Sequence, residues 1–129
     1  MSHKNEIDKV VILLDEAFNQ KDIDAVLSFY TKDAVVMATP ELSITGHDKL
    51  RGFFLDLFKA NGHARQIKTH ILTTDDTALF TSKWIYECDN GQGERVSREG
   101  IATTVFKYTA DNGWKIIIDN SLGPLVLER

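Results

Sequence analysis

Apolar side chains follow one spacing in the first half of the chain and another in the second. Over the first half they return every three or four residues. Ile7, Val10, Val11, Leu14, Ala17 and Phe18 form one such stripe, with Asp8, Lys9, Asp15 and Glu16 on the other face, and the pattern predicts an amphipathic helix. Asn19-Gln20-Lys21 breaks it. Asp22 is placed to cap a short second helix, because its carboxylate accepts the free N–H groups of the next turn. Ile23, Val26, Leu27 and Tyr30 give that helix an apolar side. Thr31-Lys32-Asp33 reads as a turn and residues 34–38 as a short apolar strand. Pro40 closes the strand, since proline has no N–H for a ladder. Residues 43–45 read as a second short strand, followed by a turn at Gly46. Leu50, Phe53, Phe54, Leu57 and Phe58 then make a bulky third helical stripe, which Asn61-Gly62 stops. Each of these side chains contributes about 1.5–3 kcal/mol if fully buried, so the stripe requires a broad apolar surface opposite it.

The second half supplies that surface with strands. Residues 66–74, 77–88, 95–108 and 114–122 carry the pattern. Asp75-Asp76, Asn90-Gly91-Gln92-Gly93 and Ala110-Asp111-Asn112-Gly113 are hairpin junctions between them. Three N-terminal helices followed by an antiparallel meander predict one α+β domain over residues 1–129, with the helices on one face of the sheet. The last strand, Trp114-Lys115-Ile116-Ile117-Ile118, is apolar on both faces and so is covered on both. Asp119-Asn120-Ser121 at its end then sit at the mouth of a concavity.

Composition narrows the function classes. The net charge is −4 and no basic block occurs, which argues against a nucleic-acid or anionic-membrane partner. Cys88 is the sole cysteine, so an intrachain disulfide and a cysteine-based zinc site are both excluded. His3, His47, His63 and His70 lack metal-ligand spacing, and neither a metal nor a cofactor is expected. Gly91-Gln92-Gly93 lacks the helix and lysine of a nucleotide loop and reads as a hairpin turn. No apolar run approaches the ~20 residues that span a bilayer. The first residues lack a signal-peptide core, and a cytoplasmic location is the default expectation.

Four segments in order carry a family resemblance: Asn19-Gln20-Lys21-Asp22-Ile23-Asp24, Tyr30-Thr31-Lys32-Asp33-Ala34-Val35, Gly46-His47-Asp48-Lys49-Leu50, and Asn112-Gly113-Trp114-Lys115-Ile116 through Asp119-Asn120. Nearly the whole chain resembles the nuclear transport factor 2-like superfamily, which includes the ketosteroid isomerases and the SnoaL-like cyclases. The resemblance implies a cystatin-like cone, a curved and mostly antiparallel sheet closed by three helices. It also implies an apolar pocket for a small hydrophobic molecule and a homodimer formed through the outer sheet face. The residues it places in the pocket are Leu14, Phe18, Tyr30, Met37, Phe54 and Phe58, together with Trp84, Tyr86, Thr103, Ile118 and Asn120 of the strands. The isomerase mechanism does not transfer. Leu14, Ala38 and Val105 align with the isomerase tyrosine, base and oxyanion acid, and none can ionise. Ile118 and Asn120 stand where many SnoaL-like relatives carry histidines.

The candidates for chemistry are Asn120, Glu99 and His70. Alternation puts Trp114, Ile116, Ile118 and Asn120 on one face, the concave one by family comparison. The Asn120 amide there orients a ligand carbonyl or hydroxyl, or else bonds backbone at a strand end. Asp119 then points outward, paired with an arginine such as Arg98, unless a bulge reverses the assignment. Glu99 shares parity with Ile101, Thr103 and Val105, which by resemblance to the family is the concave side. It serves as a general acid or base if buried, and is simply solvated if not. His70 either moves protons or is a surface residue. Trp84 and Tyr86 share a face with Ala78, Phe80 and Ser82, and line the pocket, pack the core or form a dimer interface. Three functions compete: a lyase, isomerase, hydrolase or cyclase; a ligand-binding module without chemistry; and a homo-oligomeric assembly domain.

Overall fold

The computed structural model describes residues 3–128. Helix α1 (His3–Asn19) buries Ile7, Val11, Ala17 and Phe18, with Val10 and Leu14 packed at the edge of the same core. Helix α2 (Ile23–Ser28) begins as its cap predicts, the Asp22 carboxylate accepting the Ala25 N–H at 3.2 Å. Asn19 does more than end α1. Its side chain acts as an extra peptide group for strand β3 (His63–Thr73). The amide donates to the Ala64 carbonyl at 3.0 Å and its oxygen accepts the Ala64 N–H at 2.9 Å. Asn19→Ala removes both partners from part-buried backbone, and a loss of about 1–3 kcal/mol is expected. An unchanged urea midpoint would show that this pin adds no stability.

Strand β1 (Tyr30–Thr39) is longer than alternation predicts. Tyr30 opens it instead of closing α2, and the turn expected at Thr31-Lys32-Asp33 is strand. The cause is a distant partner. β1 lies parallel to β6 (Gly113–Asn120), with Tyr30 opposite Ile116 and Val35 opposite Ile118, and the irregular residues fall between these two pairs. The Ile116 N–H also donates to the Phe29 carbonyl at 2.8 Å, which extends the pairing backward. Strand β2 (Leu42–Thr45) pairs antiparallel with β1. Helix α3 (His47–Lys59) then buries Leu50, Phe54 and Phe58.

Strands β3, β4 (Thr77–Asp89), β5 (Arg95–Thr109) and β6 form the expected meander. The six-stranded sheet has the order β2-β1-β6-β5-β4-β3, and β1–β6 is its parallel pair. The three helices pack on its concave face, and a 3-10 helix (Gly123–Leu127) follows β6. This is a cystatin-like α+β fold. Among the described residues no helix is long and apolar enough to cross a membrane.

One extra residue in β6 decides which side chains face inward. Phe106 pairs with Ile116, yet its neighbour Val105 pairs with Ile118, so Ile117 is a bulge. Trp114 and Ile116 are buried, Ile118 is 46% exposed, and Asp119 turns into the cone. The concave face therefore carries the register row Phe80–Thr104–Asp119–Val36. On the convex face the next row is Leu72–Leu79–Val105–Ile118–Val35, and beside it runs His70–Thr81–Thr103–Asn120–Met37.

Candidate functional site

Helices and concave sheet do not fill the cone. A cavity of about 310 Å³ remains, walled by Phe18, Phe53, Phe54 and Leu57 from the helices and by Phe80, Trp84 and Phe106 from the sheet. Its size lies at the lower end of small-molecule sites, which span roughly 300–1,000 Å³. Trp84 lies across Gly100, its partner on β5, and a Cβ at that position would overlap the indole ring. The indole N–H donates to the Ser121 carbonyl at 3.0 Å, tying the wall to the segment after β6. Gly100→Ala therefore displaces the indole, at an expected cost of about 1–3 kcal/mol for overpacking. Unchanged tryptophan emission together with an unchanged melting temperature would contradict this. Tyr86 is set in the same way over Gly62, and its hydroxyl has no hydrogen-bond partner in the protein. Burial pushes that phenol up to about 12.

The polar groups of the cavity form two sets. In the first, the Asp119 carboxylate accepts hydrogen bonds from the Tyr30 hydroxyl at 3.0 Å and the Thr104 hydroxyl at 3.2 Å. Thr104 stands directly opposite Asp119 on the neighbouring strand, so the register itself makes this contact. Burial raises the Asp119 carboxyl above its usual range, while the two hydroxyls pull it down. The Tyr30 phenol is raised too, by burial first and then by the Asp119 charge. In the second set, Asp15 of α1 accepts from the Gln66 amide, at 3.3 Å to each carboxylate oxygen. Burial lifts Asp15 to about 6, the Gln66 hydrogen bond opposes the shift, and the Asp119 charge adds to it. The Gln66 carbonyl oxygen is buried without a partner. Arg98 reaches the cavity from an exposed position.

Of the side chains assigned to a pocket from sequence, Leu14, Phe18, Tyr30, Phe54, Trp84 and Tyr86 line this cavity. Phe58 is buried in the core beside it, with its ring centroid 5.4 Å from that of Phe18. The others face the wrong way. Met37, Thr103, Ile118 and Asn120 lie on the convex face: the Ile117 bulge turns Ile118 and Asn120 outward, Thr103 has the opposite parity to the buried Thr104 and Phe106 of β5, and Met37 is the β1 partner of Asn120. Glu99 and His70 are exposed on that same outer side, so neither meets a ligand in the cone. Asn120 bonds backbone instead. Its oxygen accepts the N–H groups of Leu122 at 3.2 Å and Gly123 at 3.1 Å, and its amide donates to the Gly123 carbonyl at 3.2 Å. Asp119 points inward and is held by Tyr30 and Thr104, not by Arg98. Val105 also faces out, and its neighbour Thr104 occupies the inner row. Trp84 and Tyr86 belong to the cavity wall and not to an outer interface.

Asp15 and Gln66 were missed. Asp15 reads as part of the charged face of α1, yet it lies four residues after Val11 and three before Phe18. At helical spacing that is the buried stripe itself, and this was the available signal.

A curved sheet closed by three helices is the fold of nuclear transport factor 2-like proteins. The chain belongs to the SnoaL-like domain family, whose sequence profile matches residues 12–116. No curated protein matches the sequence. Solved structures resemble it at low identity. A nuclear transport factor 2-like superfamily protein from Salmonella enterica serovar Typhimurium is 14% identical, with a TM-score of 0.83 over 95% of this chain and 91% of that one. An NTF2-like protein with a cystatin-like fold from Novosphingobium aromaticivorans is 14% identical, with a TM-score of 0.76 over 91% and 79% of the two chains. A ketosteroid isomerase-like protein from Erwinia carotovora atroseptica is 22% identical, with a TM-score of 0.70 over 88% and 90%.

Proposed function

We propose that the cone receives a small, mostly apolar molecule and that Asp15 acts on it as a general base, in a reaction of the isomerase, lyase, hydrolase or cyclase type. The observation that carries this reading is a carboxylate in an apolar cavity whose proton affinity burial has lifted to about 6. A base works best when its pKa lies near the operating pH. Asp119, held by two hydroxyls, is the fixed polar group that orients the substrate beside it. Solvent deuterium exchange in a panel of small apolar ketones, and hydrolysis in a panel of epoxides, test the reading by NMR. Exchange or hydrolysis that persists in Asp15→Asn would remove Asp15 from the role. Tight binding across the panel with no exchange or hydrolysis would favour a ligand-binding module without chemistry.

We also propose that a second copy of the chain packs on the convex face. The support is the register row Leu72–Leu79–Val105–Ile118, in which Leu72 is 56%, Leu79 41% and Ile118 46% exposed. Apolar residues aligned across four strands are costly to leave in water. Leu79→Lys with Ile118→Glu is expected to give a monomer by light scattering. The same mass for variant and parent would place the interface elsewhere.

A further inference from the structure

The carboxylates of the cavity already have partners. Asp119 accepts from the Tyr30 and Thr104 hydroxyls, and Asp15 accepts from the Gln66 amide. The donors left for a ligand fall along one strand pair. Ser82, Trp84 and Tyr86 alternate on β4, and each lines the cavity. Ser82 is 2% exposed, and no group among the described residues takes up its hydroxyl. A hydroxyl buried without a partner is unfavourable, and a ligand acceptor relieves this. The Tyr86 hydroxyl has no partner in the protein either. Opposite Tyr86 stands Arg98 of β5, which lines the cavity yet is exposed, and so belongs to its rim. Among the described residues the arginine salt bridges are those of Arg51 and Arg95, and Arg98 has no carboxylate partner. Ser82 pairs with Ala102 and Tyr86 with Arg98, so the buried hydroxyl and the rim cation are separated by roughly 13 Å of strand. The Trp84 indole lies over Gly100 between them.

We propose that the cavity selects a small apolar oxo acid, with its carboxylate on Arg98 at the rim, its body along Trp84 and its carbonyl oxygen accepting the Ser82 hydroxyl. The proposal rests on the reading of the cone as a binding chamber and adds the chemical class of its occupant. A guanidinium presents paired N–H groups that match the two oxygens of a carboxylate. At an exposed rim the anion keeps part of its hydration, so little desolvation opposes the contact. The buried carboxylates do not bar it. Asp119 stands opposite Thr104, which lies deeper along β5 than Arg98 by roughly 20 Å of strand. Asp15 is nearer, since its donor Gln66 pairs with Trp84, and there the Arg98 charge offsets the anion. An amine would bring a cation against Arg98. An uncharged alcohol would leave the guanidinium unpaired.

The test is calorimetric titration of the full chain with benzoylpropionate, its primary amide and phenylbutyrate. The amide lacks the charge and phenylbutyrate lacks the ketone, while all three keep the ring and the chain. At neutral pH benzoylpropionate is expected to bind roughly tenfold tighter than its amide, the size of one charge-assisted hydrogen bond. It should bind roughly fivefold tighter than phenylbutyrate, the size of one neutral hydrogen bond. Arg98→Gln should remove the first preference and keep the second, and Ser82→Ala should do the opposite, with melting curves confirming that both variants are folded. This crossed pattern separates two specific contacts from a general loss of affinity. An amide that binds as tightly as the acid, a charge preference that survives Arg98→Gln, or a ketone preference that survives Ser82→Ala overturns the proposal. So does failure of the acid to bind. Acid binding with both preferences but without proton exchange leaves this inference standing and removes the catalytic role of Asp15. Exchange on neutral ketones without a preference for the acid does the reverse.

Discussion

Asp15→Asn is expected to lower any proton-transfer activity by roughly 10²–10⁴-fold while making the protein more stable at neutral pH. The two effects share one cause. The Asp15 carboxyl is raised from 3.8 to about 6, chiefly by burial. Between those pH values the folded state holds a proton that the unfolded state has released. Stability therefore falls as the pH rises through this window, and above about pH 6 the whole cost of the buried charge is present. At about 1.36 kcal/mol per pK unit this approaches 3 kcal/mol. Water reaching a half-buried side chain reduces it to roughly 1–2 kcal/mol. Asparagine keeps the shape and an acceptor for Gln66 but carries no charge. The melting temperatures of parent and variant should thus coincide near pH 4 and separate by several degrees at pH 7, with the variant higher. Asp119 is shifted in the same direction by burial and adds to the parent's acid-side stability. A parent protein that gains stability from pH 5 to pH 7, or a variant less stable than the parent at pH 7, would show that Asp15 is not buried as described.

Phe106→Ala should produce the largest loss of stability, about 3–5 kcal/mol. Phe106 is 1% exposed and lies in the inner row between Ala78 and Ile116. Its ring meets Phe80 edge-on at a centroid distance of 6.1 Å. It also forms part of the cavity wall, so the void left by truncation joins an existing space and the surroundings have little to collapse onto. Against a total stability of roughly 5–15 kcal/mol, a loss of this size is a large fraction. Urea unfolding measures it directly, and the same variant should accept bulkier ligands. A loss under about 1 kcal/mol would mean that the neighbouring side chains close the gap. Phe106→Leu, which keeps most of the volume, separates the effect of packing from that of the ring.

These two residues differ in how far the sequence reveals them. Phe106 belongs to a strand whose alternation is plain, yet the alternation alone does not say which face is the core. Choosing the face of Ile101, Thr103 and Val105 placed Glu99 in the cone and Phe106 outside it, and the structure has the opposite. Asp15 lies in a helix whose stripe was read correctly at Ile7, Val11 and Phe18. A carboxylate is normally solvated, so Asp15 reads as part of the charged face; burial in the cavity wall is what lifts it, and the hydrogen bond from Gln66 of β3 works against that shift. Tyr30 lines the cavity, and it opens β1 where its spacing reads as the end of α2, since the partner that makes it strand lies in β6.

The sequence by itself determined the helices, the hairpins and the order of elements, which follow from periodicity, caps and turn residues acting between near neighbours. The family and its cone came from the resemblance carried by the four segments, and the sequence profile over residues 12–116 bears the family out. Only the tertiary structure decided what faces the cavity. A strand has a period of two, so one extra residue exchanges its faces. In β6 that residue is the middle of Ile116-Ile117-Ile118. Three identical side chains carry no mark of which one bulges, and the answer comes from the pairing of Val105 with Ile118 and Phe106 with Ile116. That pairing brings Asp119 in toward Tyr30 and Thr104, and sends Asn120 out to hold the turn after the strand.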